Sequence, residues 1–445
     1  MRKINVSSII GESKFNGFFF MIIILGALMM LFDGYDQGIW GSALTVLKAD
    51  TGIDDSVFGF ISGAGMYGMM IGGIVFGMLA DRIGRKRTLI ICVAIYSLFG
   101  GLIGFAQEAW QFTLFKLLCG VGLAGIGPVV LALIAEYSPV KRRALMTTIT
   151  ISSIPVGSAI SSLVAMFFLS NVGWRPLFYL ALIPLLLLPL FIFKMPDSVE
   201  FYLRKGDIKK VSETLERVDP NYKAQDDDIY IMEGMSEEKP QKPSFIESFK
   251  MLFANGMARK TILLWLGFLA AMWTSYSMQT WLARLMAYGG YDINSSLFFL
   301  LLFNLCALPA AAIIGAIADK IGFKKTVMIV GVIAAVIIFS LSMKPPLVVL
   351  IILLILAGAL TTGVYNAVYS FITLSYPVEC RGTGIGWACA VGRFGGAWGP
   401  AVTGILVSAN ASLPVIFGVI AIPYALLAVI FAFIKENKTD KDNTK

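Results

Sequence analysis

No histidine occurs among the 445 residues, and only 14% of them are charged. The first absence means that a proton-handling step must rest on carboxylates, because histidine is the one side chain whose ordinary pKa falls near neutrality. The second sets the chain apart from soluble proteins, in which about 25% of residues are charged. The five cysteines (Cys92, Cys119, Cys306, Cys380 and Cys389) are odd in number and lie within or beside apolar runs, so no disulfide or metal framework is expected. No G-x-x-x-x-G-K-[ST] loop is present, which excludes ATP as an energy source held by this chain. Without histidine, and without a nucleophile or metal cluster, a membrane enzyme is disfavoured.

What the chain has in abundance is apolar length. Hydrophobic residues make up 57% of it, gathered in runs of about 20, the length that crosses a bilayer. The spans expected are 17–43, 56–80, 87–107, 111–135, 144–170, 174–194, 259–284, 295–318, 325–343, 347–372, 383–409 and 413–434. Twelve spans put both termini on one side. Of the 36 Lys and Arg residues, 30 fall on that side; Lys48, Arg175 and Lys344 fall opposite, and Lys116, Arg284 and Arg393 lie inside spans. Positive charge marks the cytoplasmic face, so both termini are expected there, in the cell membrane. The net charge of +8 therefore reflects orientation in lipid and not nucleic-acid binding. The apolar run from Phe18 continues past residue 40, longer than the core of a cleavable signal.

The organisation expected is a six-helix bundle over 1–194, a cytoplasmic linker over 195–258, a second bundle over 259–434 and a disordered tail over 435–445. Within the linker, Ile208, Val211, Leu215 and Val218 recur at helical spacing, which predicts an amphipathic helix on the membrane or the base of the bundle. The stretch from Asp226 to Lys242 reads as flexible.

The two bundles are copies. Gly77, Asp81, Gly84 and the basic pair Arg85-Lys86 return as Gly315, Asp319, Gly322 and Lys324-Lys325, all shifted by about 238 positions; Pro139 and Arg143 return as Pro377 and Arg381 with the same shift. The run Gly77-x-Leu79-Ala80-Asp81-Arg82-x-Gly84-Arg85-Lys86 resembles the loop between helices 2 and 3 that marks the major facilitator superfamily, and Glu136-x-x-Pro139-x-x-x-Arg143 resembles its loop 4–5 signature. The resemblance implies an all-α membrane protein with 12 transmembrane helices in two pseudo-symmetric six-helix halves. It also implies a gate of cytoplasmic ion pairs that latch that side closed and break as the halves rock, built from Gly77, Asp81, Arg82, Gly84, Arg85, Glu136, Arg143, Asp319 and Arg381. Pro196-Asp-Ser-Val-Glu-Phe201 is similar to the segment after helix 6 in sugar and organic-anion members.

Polar residues that lack a partner at the repeat shift break the symmetry and are candidates for the site. Asp33 and Asp36 map to Ala271 and Thr274, Lys116 to Leu354, and Arg393 to Pro155. The two aspartates stand three apart on one face of the first span, Asp33 roughly 22 Å from its cytoplasmic end at about 1.5 Å per residue. An ionised aspartate at a helix centre costs about 2.5–3.5 kcal/mol, so two of them imply function or a wet cavity; their mutual repulsion makes reversible protonation near neutrality an expectation. A structural role in helix packing is the alternative. Arg393, roughly 15 Å into its span, suits a carboxylate, with an internal ion pair to an aspartate as the other reading. Lys116 either snorkels to the headgroups or pairs with Asp33.

Asp33-Gly-Tyr-Asp36, Gly392-Arg393-Phe-Gly-Gly-x-x-Gly399-Pro400 and Trp281-Leu-x-x-Leu285 together resemble the aromatic acid:proton symporters of the superfamily, which carry benzoates, hydroxybenzoates, phenylpropanoids and nicotinate. That family usually has arginine where this chain has Lys116. The resemblance implies proton-coupled import of a small organic acid by alternating access, with Asp33 and Asp36 as coupling residues and Lys116, Arg393, Tyr35, Tyr276, Gln279, Tyr365 and Asn366 around the substrate. No cofactor is expected beyond the coupling proton; the partners are membrane lipid and the acid, with the monomer as the working unit. A sugar or polyol:proton symporter is the next reading, a drug antiporter the third, and a transporter-like nutrient receptor the alternative from another class.

Overall fold

The architecture comes from a computed structural model that describes residues 2–225, 228–232, 245–254, 256–377 and 380–434, the side chains at 81, 245, 246 and 311 excepted. After a short strand β1 (Arg2–Asn5) and helix α1 (Val6–Glu12), the first half comprises α2 (Gly17–Thr51), α3 (Asp55–Ile83), α4 (Arg85–Leu102), α5 (Ala109–Tyr137), α6 (Arg143–Ile151), α7 (Ser153–Asn171), α8 (Arg175–Tyr179), α9 (Ile183–Leu186) and α10 (Leu188–Lys194). The connector holds α11 (Val199–Arg204), α12 (Ile208–Val218), β2 (Asp228–Ile231) and α13 (Phe245–Met251). The second half follows as α14 (Ala258–Tyr288), α15 (Ile293–Ile321), α16 (Phe323–Ser340), α17 (Leu347–Ser375), α18 (Arg381–Ser408) and α19 (Leu413–Ala432).

The duplication is visible to the residue. Helices α3, α4 and α5 occupy 55–83, 85–102 and 109–137, and α15, α16 and α17 occupy 293–321, 323–340 and 347–375, each pair offset by 238. The turn between the second and third long helices is also repeated. Gly84 has φ +95° and Gly322 φ +89°, a left-handed geometry that glycine adopts without a Cβ penalty. Asp54 and Asp292, again 238 apart, cap α3 and α15 by accepting from the backbone N–H of Ser56 and Ser295.

Among the described residues, eleven helical segments are long and apolar enough to cross a membrane. The 28-residue α18 falls outside that set because its many glycines and Arg393 dilute its apolarity, although it packs against both α14 and α3. Two expected spans are broken. The span from 144 divides at Ser152, since Pro155 cannot donate to the Ile151 carbonyl. The span from 174 divides into α8, α9 and α10, with Pro176, Pro184 and Pro189 near their starts.

In helix α12, Val211, Leu215 and Val218 are fully buried against α1 and the base of α2, where the Asn16 amide donates to the carbonyls of Arg217 and Val218, while Ile208 at its start is exposed. One element was not foreseen. Residues 228–231, expected as flexible, form β2 and pair in parallel with β1, locked by Arg2 on Asp228 at 2.8 Å and by the Tyr222 hydroxyl on Asp228 at 2.7 Å. Alternation and β-branching are too sparse over four residues to signal a strand. Residues 226, 227 and 233–242 of the expected flexible stretch, and the tail, lie outside the described residues.

Helix contacts within the first half depend on glycine. A Cβ at Gly34 would overlap the Ile154 carbonyl oxygen of α7, and one at Gly157 would overlap the Leu31 carbonyl oxygen of α2. Gly34→Ala is therefore expected to lower the melting temperature of the solubilised protein, by the equivalent of about 1–3 kcal/mol. Gly127→Ala, with nothing within 4 Å of its added carbon, is the matched control and is expected to melt like the parent. Equal melting of both variants would contradict this packing.

Candidate functional site

The close α2–α7 contact fixes the first span around Gly34, whose carbonyl accepts from the Ser158 hydroxyl at 2.8 Å. Asp33 and Asp36 flank this point and are buried, 5% and 2% exposed. Their surroundings differ. Asp36 accepts from the Lys116 ammonium at 3.0 Å through Oδ2 and from the Cys119 thiol at 3.3 Å through Oδ1. Asp33 accepts from the Gln37 amide at 3.0 Å, a neutral donor one turn along the same helix, and has no ion pair among the described residues.

Lys116 reaches Asp36 because α3 and α5 approach through Gly65 and Gly120; a Cβ at Gly120 would overlap the Gly65 carbonyl oxygen, and one at Gly65 would lie 3.3 Å from Lys116 Cγ. The lysine neither snorkels nor pairs with Asp33. It points inward, 8% exposed, with its ammonium 5.8 Å from the Trp40 ring centroid. Trp40 is held in turn by its indole N–H, which donates to Ser62 at 2.6 Å.

Asp36, Gln37, Trp40, Lys116, Tyr276 and Gln279 line a cavity of about 40 Å³, whose walls come from α2, α3, α5 and, across the halves, α14. That volume admits ordered water and not an aromatic ring.

Arg393 is half-buried on α18 and, among the described residues, makes no hydrogen bond or ion pair; the internal pairing with an aspartate is not formed. It extends toward α3, where its Nη1 lies 3.4 Å from the position a Cβ on Gly73 would take. One turn along α18, Gly396 packs against the Tyr276 ring, with 3.1 Å between its missing Cβ and Tyr276 Cδ2. Arg393 itself does not line the cavity; Tyr276, which does, meets α18 at Gly396, one turn from Arg393.

The remaining expected substrate residues lie elsewhere. Tyr35 turns away from the cavity and donates to the Leu177 carbonyl at 2.9 Å. Tyr365 stacks on Phe268 with centroids 5.4 Å apart, and neither it nor the half-buried Asn366 lines the cavity. Gln37, Trp40 and Cys119 were not among the expected site residues. Gln37 and Trp40 follow Asp33 and Asp36 by one turn, so helical spacing carried a signal for both.

Of the expected gate residues, Arg85 and Glu136 join a network that ties the first half to the start of the connector. Arg85 pairs with Glu136 and lies 3.8 Å from Glu200; the Ser198 hydroxyl is 2.9 Å from both Glu136 oxygens, and the Glu200 N–H donates to Glu136 at 3.2 Å. Asp197 completes it by accepting from the Lys86 N–H at 3.1 Å beside Gly84. Gly77, Arg82, Arg143 and Asp319 are exposed, and Arg381 donates to the Tyr376 carbonyl at 3.2 Å. The Asp81 side chain lies outside the described residues. No group of three or more metal-binding side chains occurs among the described residues.

The Major Facilitator Superfamily model matches residues 26–308 and 290–445. The chain is 32% identical to the benzoate transport protein of Acinetobacter baylyi over 97% of its own length and 93% of that protein's. It is 30% identical to the gentisate transporter of Corynebacterium glutamicum, over 91% of this chain and 85% of that one. A niacin transporter of A. baylyi, NiaP, is 26% identical over 95% of each. The xylose transporter XylE from E. coli, in a partially occluded inward open conformation, shares the fold with a TM-score of 0.72 at 17% identity, covering 95% of this chain and 99% of that one. Matched along nearly its whole length by these transporters, the chain belongs to the Major Facilitator Superfamily: it is an integral membrane transporter and not an enzyme.

Proposed function

We propose that the chain imports a small aromatic carboxylic acid together with protons, across the cell membrane and with both termini in the cytoplasm. The observation that carries this reading is Arg393, a half-buried guanidinium with no anionic partner among the described residues, on α18 one turn from the Gly396–Tyr276 contact, whose tyrosine lines a cavity that already contains an ion pair. An uncompensated cation inside a membrane bundle is costly, and a bidentate carboxylate offsets that cost. The relatives named for benzoate, gentisate and niacin support an aromatic acid as the anion.

Coupling follows from the asymmetry of the two aspartates. While Asp36 is ionised it occupies Lys116. A proton taken up by the Asp33–Asp36 pair removes a negative charge from the cavity and frees the ammonium, so the substrate carboxylate meets two cations, Arg393 and Lys116, instead of one. Release of the proton restores the internal pair and expels the anion. Tyr276 and Gln279 carry this change to the second half, because they line the same cavity from α14. The two halves rock around the loaded site, and the Arg85–Glu136–Ser198 network holds the base of the first half together as a cytoplasmic latch. The monomer suffices, since every element of the site lies in one chain.

Uptake into proteoliposomes tests the substrate. An inward proton gradient is expected to drive accumulation of benzoate, hydroxybenzoate or nicotinate and not of glucose, and Arg393→Ala is expected to weaken acid binding by about 10- to 100-fold, the loss of one charge-assisted contact. Glucose uptake indifferent to Arg393→Ala would overturn the organic-anion reading.

Coupling has a separate signature. Asp36→Asn mimics the protonated state, so it is expected to retain gradient-free counterflow of the acid while losing gradient-driven accumulation about tenfold or more. Loss of both activities together, in a folded variant, would remove Asp36 from the coupling step.

A further inference from the structure

The loops opposite the chain termini carry a charge arrangement that the superfamily motifs do not include. Asp55 opens α3 in the first half, and its side chain is only 5% exposed. Arg284, near the end of α14 in the second half, grips it with two contacts, Nε to Oδ1 and Nη2 to Oδ2, both 3.2 Å. Lys48, on α2 of the first half, lies 2.9 Å from the same Oδ2. The neighbouring Asp54 accepts from Ser408 of α18 at 2.6 Å, a second tie between the halves at this face.

The backbone around these groups is tightly closed. A Cβ on Gly404 would lie 2.5 Å from the Asp55 carbonyl oxygen, one on Gly59 would lie 2.7 Å from the Pro400 carbonyl oxygen, and one on Gly41 would overlap the Gln279 carbonyl oxygen. At the other face, the ion pairs Arg85–Glu136, Arg85–Glu200 and Arg2–Asp228 lie within the first half and the segments attached to it. Among the described residues, the ion pair that joins the halves lies at the face away from the termini.

We propose that Asp55 is the gate carboxylate of this face, shared between Arg284 of the second half and Lys48 of the first, and handed from the pair to Lys48 alone when the face opens. A buried carboxylate that loses its only cation on opening would pay a large desolvation cost. Lys48 travels with Asp55 because both belong to the first half, so the carboxylate keeps a partner after Arg284 leaves. Arg284 sets how firmly the face closes, while Lys48 lowers the cost of opening it. Removing the two cations should then act in opposite directions, which a merely structural cluster would not do. This proposal rests on alternating access between the two faces and is independent of which substrate is carried.

Pulsed electron-spin distance measurements across this face, without substrate or proton gradient, test it. Spin labels are attached at the exposed positions Ala49→Cys and Ala409→Cys in the full chain in nanodiscs, with the unsubstituted chain as the labelling background. Arg284→Met and Asp55→Asn are expected to raise the long-distance population by about fivefold, the effect of losing one partly buried ion pair. Arg284→Lys is expected to keep most of the short-distance population, and Lys48→Met to leave the long-distance population at or below the parent level. Variants that are monodisperse and melt like the parent, yet show unchanged distances for Arg284→Met and Asp55→Asn, would overturn the proposal; so would a Lys48→Met variant that opens the face as Arg284→Met does. Uptake assays stand apart from this readout, so failure of the aromatic-acid reading and failure of the gate proposal are distinguishable.

Discussion

The structure depends on one buried ion pair, Lys116 on Asp36, formed at 3.0 Å between α5 and α2. A lone charge of either sign in the middle of a membrane bundle is expensive, and breaking a buried pair by removing one partner strands the other. Much of the first half serves to bring these two groups together. Gly34 and Gly157 seat α2 on α7, Gly65 and Gly120 seat α3 on α5, and Trp40, pinned by Ser62, covers the ammonium. Glycine at these contacts is a steric requirement, since any side chain would push apart the helices that deliver Asp36 and Lys116.

The second half shows what the same unit becomes without that pair. At the positions matching Asp36 and Lys116 stand Thr274 and Leu354; the threonine hydroxyl donates to the Ile420 carbonyl at 2.7 Å and the leucine is fully buried. Those residues serve packing. The position matching Arg393 is Pro155, whose missing N–H breaks the expected fifth span at Ser152. Duplication has thus kept one scaffold, down to the left-handed turns at Gly84 and Gly322, and divided the charges: aspartates and lysine in one half, Arg393, unpaired among the described residues, in the other. A substrate bound between them would couple the halves.

Much of this was legible in the sequence because membrane helices obey simple rules of length and charge. The repeat shift fixed by Asp81 and Asp319 recovers the bounds of α15, α16 and α17 from those of α3, α4 and α5. Asp33, Asp36, Lys116 and Arg393 stood out as charges in apolar runs. What the sequence did not disclose was partnership. Helical spacing puts Asp33 and Asp36 on one face, yet which of them meets Lys116 depends on the rotation of α2 against α5, and Asp36 takes it. Tyr35 and Tyr365 looked like cavity aromatics, but a tyrosine hydroxyl finds a carbonyl or a stacking partner wherever packing offers one, as Leu177 and Phe268 do here. The Asp55–Arg284 bridge was invisible for a related reason: both residues sit at span ends, where charge is ordinary, and only the approach of the halves brings them together.

The central claim is that the Asp36–Lys116 pair opens by protonation when an aromatic acid binds. Infrared difference spectroscopy on the reconstituted protein, with and without benzoate, reads this directly. The account predicts a new protonated-carboxyl stretch on adding benzoate, absent in Asp36→Asn. Saturating binding of benzoate with no change in the carboxyl region would contradict it.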